Sequence, residues 1–226
     1  MIERAAGGAA AGGATHPARG SPPRSIGSAR SAYWRAGLWR IDVALARSWS
    51  LGRAFATSLR DRPASEIRDI SMTYGETPWR AIHRILVELR LGPNDAFFEL
   101  GSGTGRFALF AARLTGCAAL GFELVPPFVE RAERIARKAG LDRCRFVAQD
   151  FFRASWRAAS AIYCATTTFD EETLARFEVK CAELRPGARV VTVTQPPRRA
   201  DLEAEWMEVL DFSWGPGTVF IHRRVT

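Results

Sequence analysis

From residue 96 onward, short apolar runs alternate with amphipathic stretches. Ala96–Leu100, Cys117–Phe122, Arg145–Ala148, Ala161–Cys164 and Arg189–Thr194 are each four to six residues long, the length of buried strands bounded by turns. Arg106–Leu114, Pro127–Ala139 and Glu171–Leu184 carry their apolar residues at helical spacing, and Arg185-Pro186-Gly187 stops the last. This alternation predicts a parallel sheet with helices on both faces. The tail breaks the rhythm: Trp206–Trp214 and Thr218–His222 are strand-like runs joined by Gly215-Pro216-Gly217 with no helix between them. They predict an antiparallel hairpin at one edge. The expected fold class is therefore α/β, a Rossmann-like, mostly parallel seven-strand sheet with helices on both faces and a C-terminal antiparallel hairpin.

Upstream, Trp79, Ile82, Ile85, Leu86 and Leu89 form one face of a further helix, with Thr77 as its expected cap and Pro78 in its first turn. Trp34, Leu38, Ile41, Leu45 and Trp49 recur at steps of four, three, four and four, a helical stripe with Arg35, Arg40 and Arg47 mostly off it. A shorter phase follows at Leu51, Phe55 and Leu59, before Pro63. Several aromatics on one face favour a helix docked against the domain. A basic helix with tryptophans also suits weak contact with an anionic membrane surface or nucleic acid. Residues 1–30 are Ala, Gly, Ser, Pro and Arg with almost no large apolar side chains. They read as a disordered leader, or alternatively as an organelle transit peptide. The expected organisation is a leader over 1–30, a basic helical extension over 31–68 and the α/β domain over 69–226.

Charge sharpens this division. Of the net charge of +8, residues 1–68 hold 11 Arg against 4 acids, leaving 21 basic and 20 acidic residues in the remainder. The domain is near neutral, which removes the general case for a phosphate-binding surface. Cys117, Cys144, Cys164 and Cys181 contain no C-x-x-C pair, and His16, His83 and His222 lack metal-ligand spacing. The cysteines read as small buried hydrophobes, and no metal is expected. No apolar run approaches a membrane span and no secretory core is present, so the expected compartment is the cytoplasm.

The chemistry gathers at Ala96–Arg106, A-F-F-E-L-G-S-G-T-G-R. An apolar strand runs into Gly101, Gly103 and Gly105 and then directly into a helix, the first half of a βαβ unit whose glycine turn can approach a ligand. A dinucleotide fingerprint would place its third glycine at Arg106. Two residues before the first glycine stands the carboxylate Glu99, which is also foreign to that fingerprint. Glu123 ends the second strand, 22 residues past Gly101, where an acid can accept hydrogen bonds from both ribose hydroxyls of a nucleoside. Two acids and no nearby lysine cluster suit a cationic sulfonium better than a pyrophosphate.

This loop resembles the nucleotide loop of class I S-adenosylmethionine-dependent methyltransferases. The resemblance extends over about residues 70–226 and implies S-adenosylmethionine as cofactor. It implies cofactor contacts from Glu76, Glu99, Gly101, Ser102, Gly103, Gly105, Glu123, Asp150 and Phe151, with Asp150 and Phe151 in R-F-V-A-Q-D-F-F beside the adenine. Tyr74-Gly75-Glu76 is similar to a loop of the non-SET-domain histone-lysine methyltransferases of the nucleosome core, and there it helps hold the donor's methionine end. A-L-G-F-E-L-V-P-P-F-V-E-R-A and G-P-G-T-V-F-I resemble lysine methyltransferases acting on the ATP-synthase c subunit. The Asn-rich loop of the nucleosomal family is here Ala165-Thr166-Thr167-Thr168, a departure that argues against histone specificity.

The expected function is methylation of a protein lysine or another amine, with Tyr74, Thr166 and Thr167 as candidate catalytic residues. The threonine hydroxyls have two readings, orienting an acceptor or capping the helix that follows at Asp170. Alternatives are a small-molecule methyltransferase of the same fold, a nicotinamide-dependent oxidoreductase, and a non-catalytic binding module.

Overall fold

A computed structural model describes residues 27–49, 54, 56–57 and 75–226. Most of the expected leader, the phase at Leu51, Phe55 and Leu59, Pro63 and Tyr74 lie outside the described residues. Helices α1 (Ala29–Arg35), α2 (Leu38–Ser48) and α3 (Trp79–Leu89) lead into β1 (Ala96–Leu100). Then follow α4 (Arg106–Thr115), β2 (Ala118–Glu123), α5 (Pro126–Lys138), β3 (Cys144–Ala148), β4 (Ala161–Cys164), α6 (Glu171–Cys181), β5 (Arg189–Val193), β6 (Leu202–Phe212) and β7 (Gly215–Arg224). The seven strands form one sheet in the order β3-β2-β1-β4-β5-β7-β6. Five are parallel, and β7 runs antiparallel between β5 and β6. The expected architecture is the observed one.

Side chains of the central strands alternate between two cores, because successive strand residues point to opposite faces. Phe97, Tyr163, Val191, Val193, Val219 and Ile221 pack under α2, α3, α4 and α5. Phe98, Leu100, Ile162, Cys164 and Val190 pack under α6 with the fully buried Trp156. All four cysteines are free and buried, and burial pushes their thiols upward. Among the described residues, no helix is long and apolar enough to cross a membrane.

The N-terminal stripe docks on the first of these cores, with one change from expectation. Gly37, at φ +68°, separates α1 from α2, so the stripe is not one continuous helix. Leu38, Ile41, Leu45 and Trp49 remain buried, whereas Trp34 is 59% exposed. Polar contacts fasten the same layer: Trp79 Nε1 donates to the Ala29 carbonyl at 2.9 Å, and Arg131 Nη1 to that of Ser48 at 2.7 Å. The Arg131 guanidinium also lies 4.0 Å from the centre of the Trp49 ring.

Two local expectations fail. Thr77 does not cap α3: its hydroxyl lies 2.7 Å from that of Tyr163, and Pro78, extended at φ −67°, fills the cap position. The hairpin turn is Ser213-Trp214, not Gly215-Pro216-Gly217, since Phe212 pairs with Gly215 and Leu210 with Gly217. Gly217 belongs inside β7 because the space above it is taken; a Cβ there would lie 3.1 Å from Phe212 and Val193 side-chain atoms. Strand β6 also starts earlier than its apolar run. Cross-strand ion pairs carry it there, Arg223 to Glu203 at 3.1 Å and Arg189 to Glu205 at 2.7 Å.

Candidate active site

Strand order reverses at β1, with β2 on one side and β4 on the other, and open α/β sheets bind ligands at the carboxyl ends of strands beside such a switch. The glycine loop lies there. Gly101 and Ser102 both donate backbone N–H bonds to the Phe122 carbonyl, at 2.9 and 2.8 Å, which pins the loop to β2. Gly105, at φ +78°, ends the loop and starts α4; a Cβ there would stand 2.5 Å from the Phe146 ring. Gly101, at φ +76°, is different, since a Cβ there would meet nothing within 4 Å. One glycine permits packing and the other leaves room beside the chain.

Two carboxylates flank this loop. Glu99 projects from β1 and is 6% exposed, with Oε2 accepting the Ala108 N–H at 2.9 Å. It thereby sits at the positive end of α4. Burial nevertheless pushes its carboxyl up to about 8, the Ala108 bond opposing and the nearby Glu123 adding to the rise. Glu123, at the end of β2, accepts the Gly103 N–H at 2.7 Å on one oxygen. Its other oxygen accepts the Leu124 and Val125 N–H groups at 2.8 and 3.0 Å. Burial raises this carboxyl too, against the three N–H bonds that favour its charged form.

These groups line a cavity of about 360 Å³ together with Glu76, Gln149, Tyr163, Thr167, Phe169 and Trp214. In its wall the Ser102 hydroxyl is buried without a hydrogen-bond partner, a polar atom left for a ligand to satisfy. Arg106 also borders the cavity, but its guanidinium turns to Asp42 of α2, with N–O distances of 2.9 and 3.0 Å. The cavity thus has carboxylates, an unsatisfied hydroxyl and an open glycine turn, and the cation at its edge is paired. That donor set fits a nucleoside carrying a cationic group better than a pyrophosphate.

Comparison with known proteins shows what the chain is similar to. Residues 99–197 match the family model of the ANTKMT methyltransferase domain. The histone-lysine N-methyltransferase, H3 lysine-79 specific, of Caenorhabditis elegans is 29% identical over 141 residues, 55% of this chain. The match spans 15% of that relative's own length. An RNA methyltransferase from Salinibacter ruber, solved with S-adenosylhomocysteine, superposes with a TM-score of 0.56 at 24% identity, covering 66% of this chain and 94% of that one. A methyltransferase from Geobacter sulfurreducens, solved with the same ligand, gives a TM-score of 0.52 at 21% identity over 70% of this chain and 74% of its own. The fold is that of these solved methyltransferases.

Around this cavity, the residues singled out from sequence separate into three groups. Glu76, Glu99, Gly101, Ser102, Gly103, Glu123, Phe151 and Thr167 all line the cavity, whereas Gly105 does not line it and caps α4. Asp150 and Thr166 do not line it. The Asp150 carboxylate accepts the Phe152 N–H at 2.9 Å and caps the short turn Phe151–Arg153, while Gln149 takes the place on the wall. Thr166 is fully buried, and its hydroxyl is held between the carbonyls of Val193 and Gln195 at 2.7 and 2.9 Å. A hydroxyl committed to backbone acceptors cannot orient an acceptor substrate. Nor does it cap α6, because Asp170 does so itself, accepting the Thr173 N–H at 2.9 Å. Tyr74 lies outside the described residues.

Trp214, Tyr163 and Phe169 are wall residues that sequence reasoning did not single out. Trp214 reaches the site because the 75–77 loop is bound to the hairpin turn. Glu76 N–H donates to the Ser213 hydroxyl at 2.8 Å and Ser213 N–H to the Glu76 carbonyl at 3.2 Å. Gly75 lies directly beneath the Trp214 ring, leaving no space for a side chain. The signal that could have pointed here was Gly75 itself, together with a tryptophan at the tip of a hairpin.

Proposed function

We propose that the protein is an S-adenosylmethionine-dependent methyltransferase that methylates an amine nitrogen, with the side chain of a protein lysine as acceptor. The observation that carries this reading is the carboxyl lining of the cavity, whose groups a bound cation draws towards their ionised forms. Glu76, Glu99 and Glu123 line it, Arg106 is paired with Asp42, and Trp214, Tyr163, Phe169 and Phe151 supply aromatic walls. Carboxylates with aromatic faces favour cationic and amine ligands and disfavour phosphorylated ones. The similarity to an H3 lysine-79-specific enzyme supports the same acceptor class.

S-adenosylmethionine supplies an electrophilic methyl group on a sulfonium, transferred by in-line displacement. The chain's residues hold and orient. In this reading Glu123 accepts the ribose hydroxyls, Phe151 and Gln149 flank the adenine, and Glu99, Glu76 and the Gly101–Gly105 loop take the amino-acid end. Asp150 acts indirectly, holding Phe151 through its cap. Thr167, whose hydroxyl lies 3.1 Å from that of Thr194, borders the acceptor side. An ammonium must lose its proton before attack, and a largely apolar slot favours the neutral amine by desolvation.

The test is incubation with isotope-labelled S-adenosylmethionine and cell extract, followed by hydrolysis of the protein fraction to amino acids. Label in methylated lysine is the expected outcome. Label confined to nucleic acid or to small molecules would reject the lysine acceptor while leaving the methyltransferase assignment intact.

A further inference from the structure

Arg106 is a fixed positive charge at the edge of a cavity that otherwise presents carboxylates. A sulfonium bound there favours the ionised form of the carboxyls and gains from them, and it loses from an uncompensated guanidinium. The guanidinium is compensated from outside the α/β domain. Its Nε and Nη2 donate to the two oxygens of Asp42 at 2.9 and 3.0 Å, a paired fork geometry. The Tyr33 hydroxyl donates to Asp42 Oδ2 at 2.6 Å, and the guanidinium carbon lies 5.2 Å from the centre of the Phe110 ring. Burial and the adjacent Asp42 push the Tyr33 phenol up to about 12, so it remains a donor at neutral pH. Between residues 27 and 49 the sequence has four arginines and one acid, Asp42. Buried Leu38, Ile41 and Leu45 dock α2 so that this acid meets Arg106 across 64 positions of sequence.

We infer that Asp42 is a positioning residue for the methyl donor: from the N-terminal helix it holds and neutralises Arg106, and so preserves the cavity's preference for the cationic donor over its neutral thioether product. The inference rests on the donor lying along the Gly101–Arg106 loop. S-adenosylmethionine and S-adenosylhomocysteine share the adenosine and amino-acid groups and differ in a methyl group and the sulfur's charge. A general loosening of the fold weakens both ligands. An exposed guanidinium weakens the charged one selectively.

Calorimetric titration of the full chain with each ligand separates these cases, using wild type, Asp42→Asn, Arg106→Gln and the double variant. Asp42→Asn is expected to weaken S-adenosylmethionine roughly tenfold while S-adenosylhomocysteine changes by less than about threefold. The double variant, with both charges gone, is expected to restore the ratio of affinities to within about twofold of wild type. Arg106→Gln alone leaves the Asp42 carboxylate uncompensated and is expected to raise the preference for the charged ligand. It decides the matter if Asp42→Asn does not fold. Equal losses for both ligands in Asp42→Asn, or a double variant that fails to restore the ratio, would overturn the inference. So would equal losses in Arg106→Gln, which would make the guanidinium a direct partner of the ligand's own carboxylate. Wild type binding neither ligand would instead remove the site reading on which the inference stands.

Discussion

Glu99 shows how much one residue's burial controls. Its carboxyl sits under the glycine loop with one backbone N–H for a partner, and burial lifts it from 4.5 to about 8. The folded chain therefore holds a proton there that the unfolded chain has released between those two values. By linkage, this group makes stability fall as pH rises through that window, with the loss complete above about 8. Glu99→Gln keeps an oxygen for the Ala108 N–H and removes the titration. Thermal unfolding of the ligand-free protein from pH 5 to 9 should show the variant gaining on wild type as pH rises. Parallel curves would mean that Glu99 is already ionised in the fold. Glycine loop and carboxylate were both legible in the sequence, because their spacing is local. The protonation state was not, since it depends on the helix and strands that bury the group.

At the scale of elements, the N-terminal helices are the part whose role changes most between sequence and structure. The stripe Leu38, Ile41, Leu45, Trp49 was legible as a helical face, but a face does not name its partner. The structure seats it on α4 and α5, where Leu38 has no exposed surface while Trp39 on the next position is 38% exposed. Leu38→Ala should therefore cost about 2–5 kcal/mol, as for other buried leucines, and Trp39→Ala less than about 0.5 kcal/mol. Chemical denaturation of both variants checks this. If Leu38→Ala were as mild as Trp39→Ala, α2 would be an arm resting on the domain and not part of its core. Gly37 illustrates the limit of periodicity: the apolar spacing runs on through it, yet its left-handed backbone ends one helix and starts another.

Across the whole molecule, the cavity joins the carboxyl ends of β1, β2 and β4 to the 75–77 loop and the tip of the terminal hairpin. Ligand binding at such a junction should stabilise the fold as a unit. At S-adenosylhomocysteine of about a hundred times its dissociation constant, the gain is about 2.7 kcal/mol, or several degrees for a chain of this size. Glu123→Ala, losing the acceptor that meets Gly103, Leu124 and Val125, should lose most of that shift at the same ligand concentration. An undiminished shift in differential scanning fluorimetry would take Glu123 out of the cofactor site.

The sequence by itself determined what repeats or clusters locally. The strand and helix periods predicted a seven-strand sheet with a terminal hairpin, and Glu99, the glycine turn and Glu123 predicted the ligand end of that sheet. Tertiary structure alone decided which side chains face the cavity. Asp150 turns back to cap its own turn, and Thr166 is drawn inward by the Val193 and Gln195 carbonyls. Trp214 enters the wall through a contact 137 positions away in sequence, and Arg106 is paired from 64 positions away. The physical reason is shared by Asp150, Thr166, Arg106 and the Ser213 that carries Trp214 with it. A polar side chain goes to the partner that best satisfies it once the chain is packed, and that partner is set by packing, which spacing along the chain does not record.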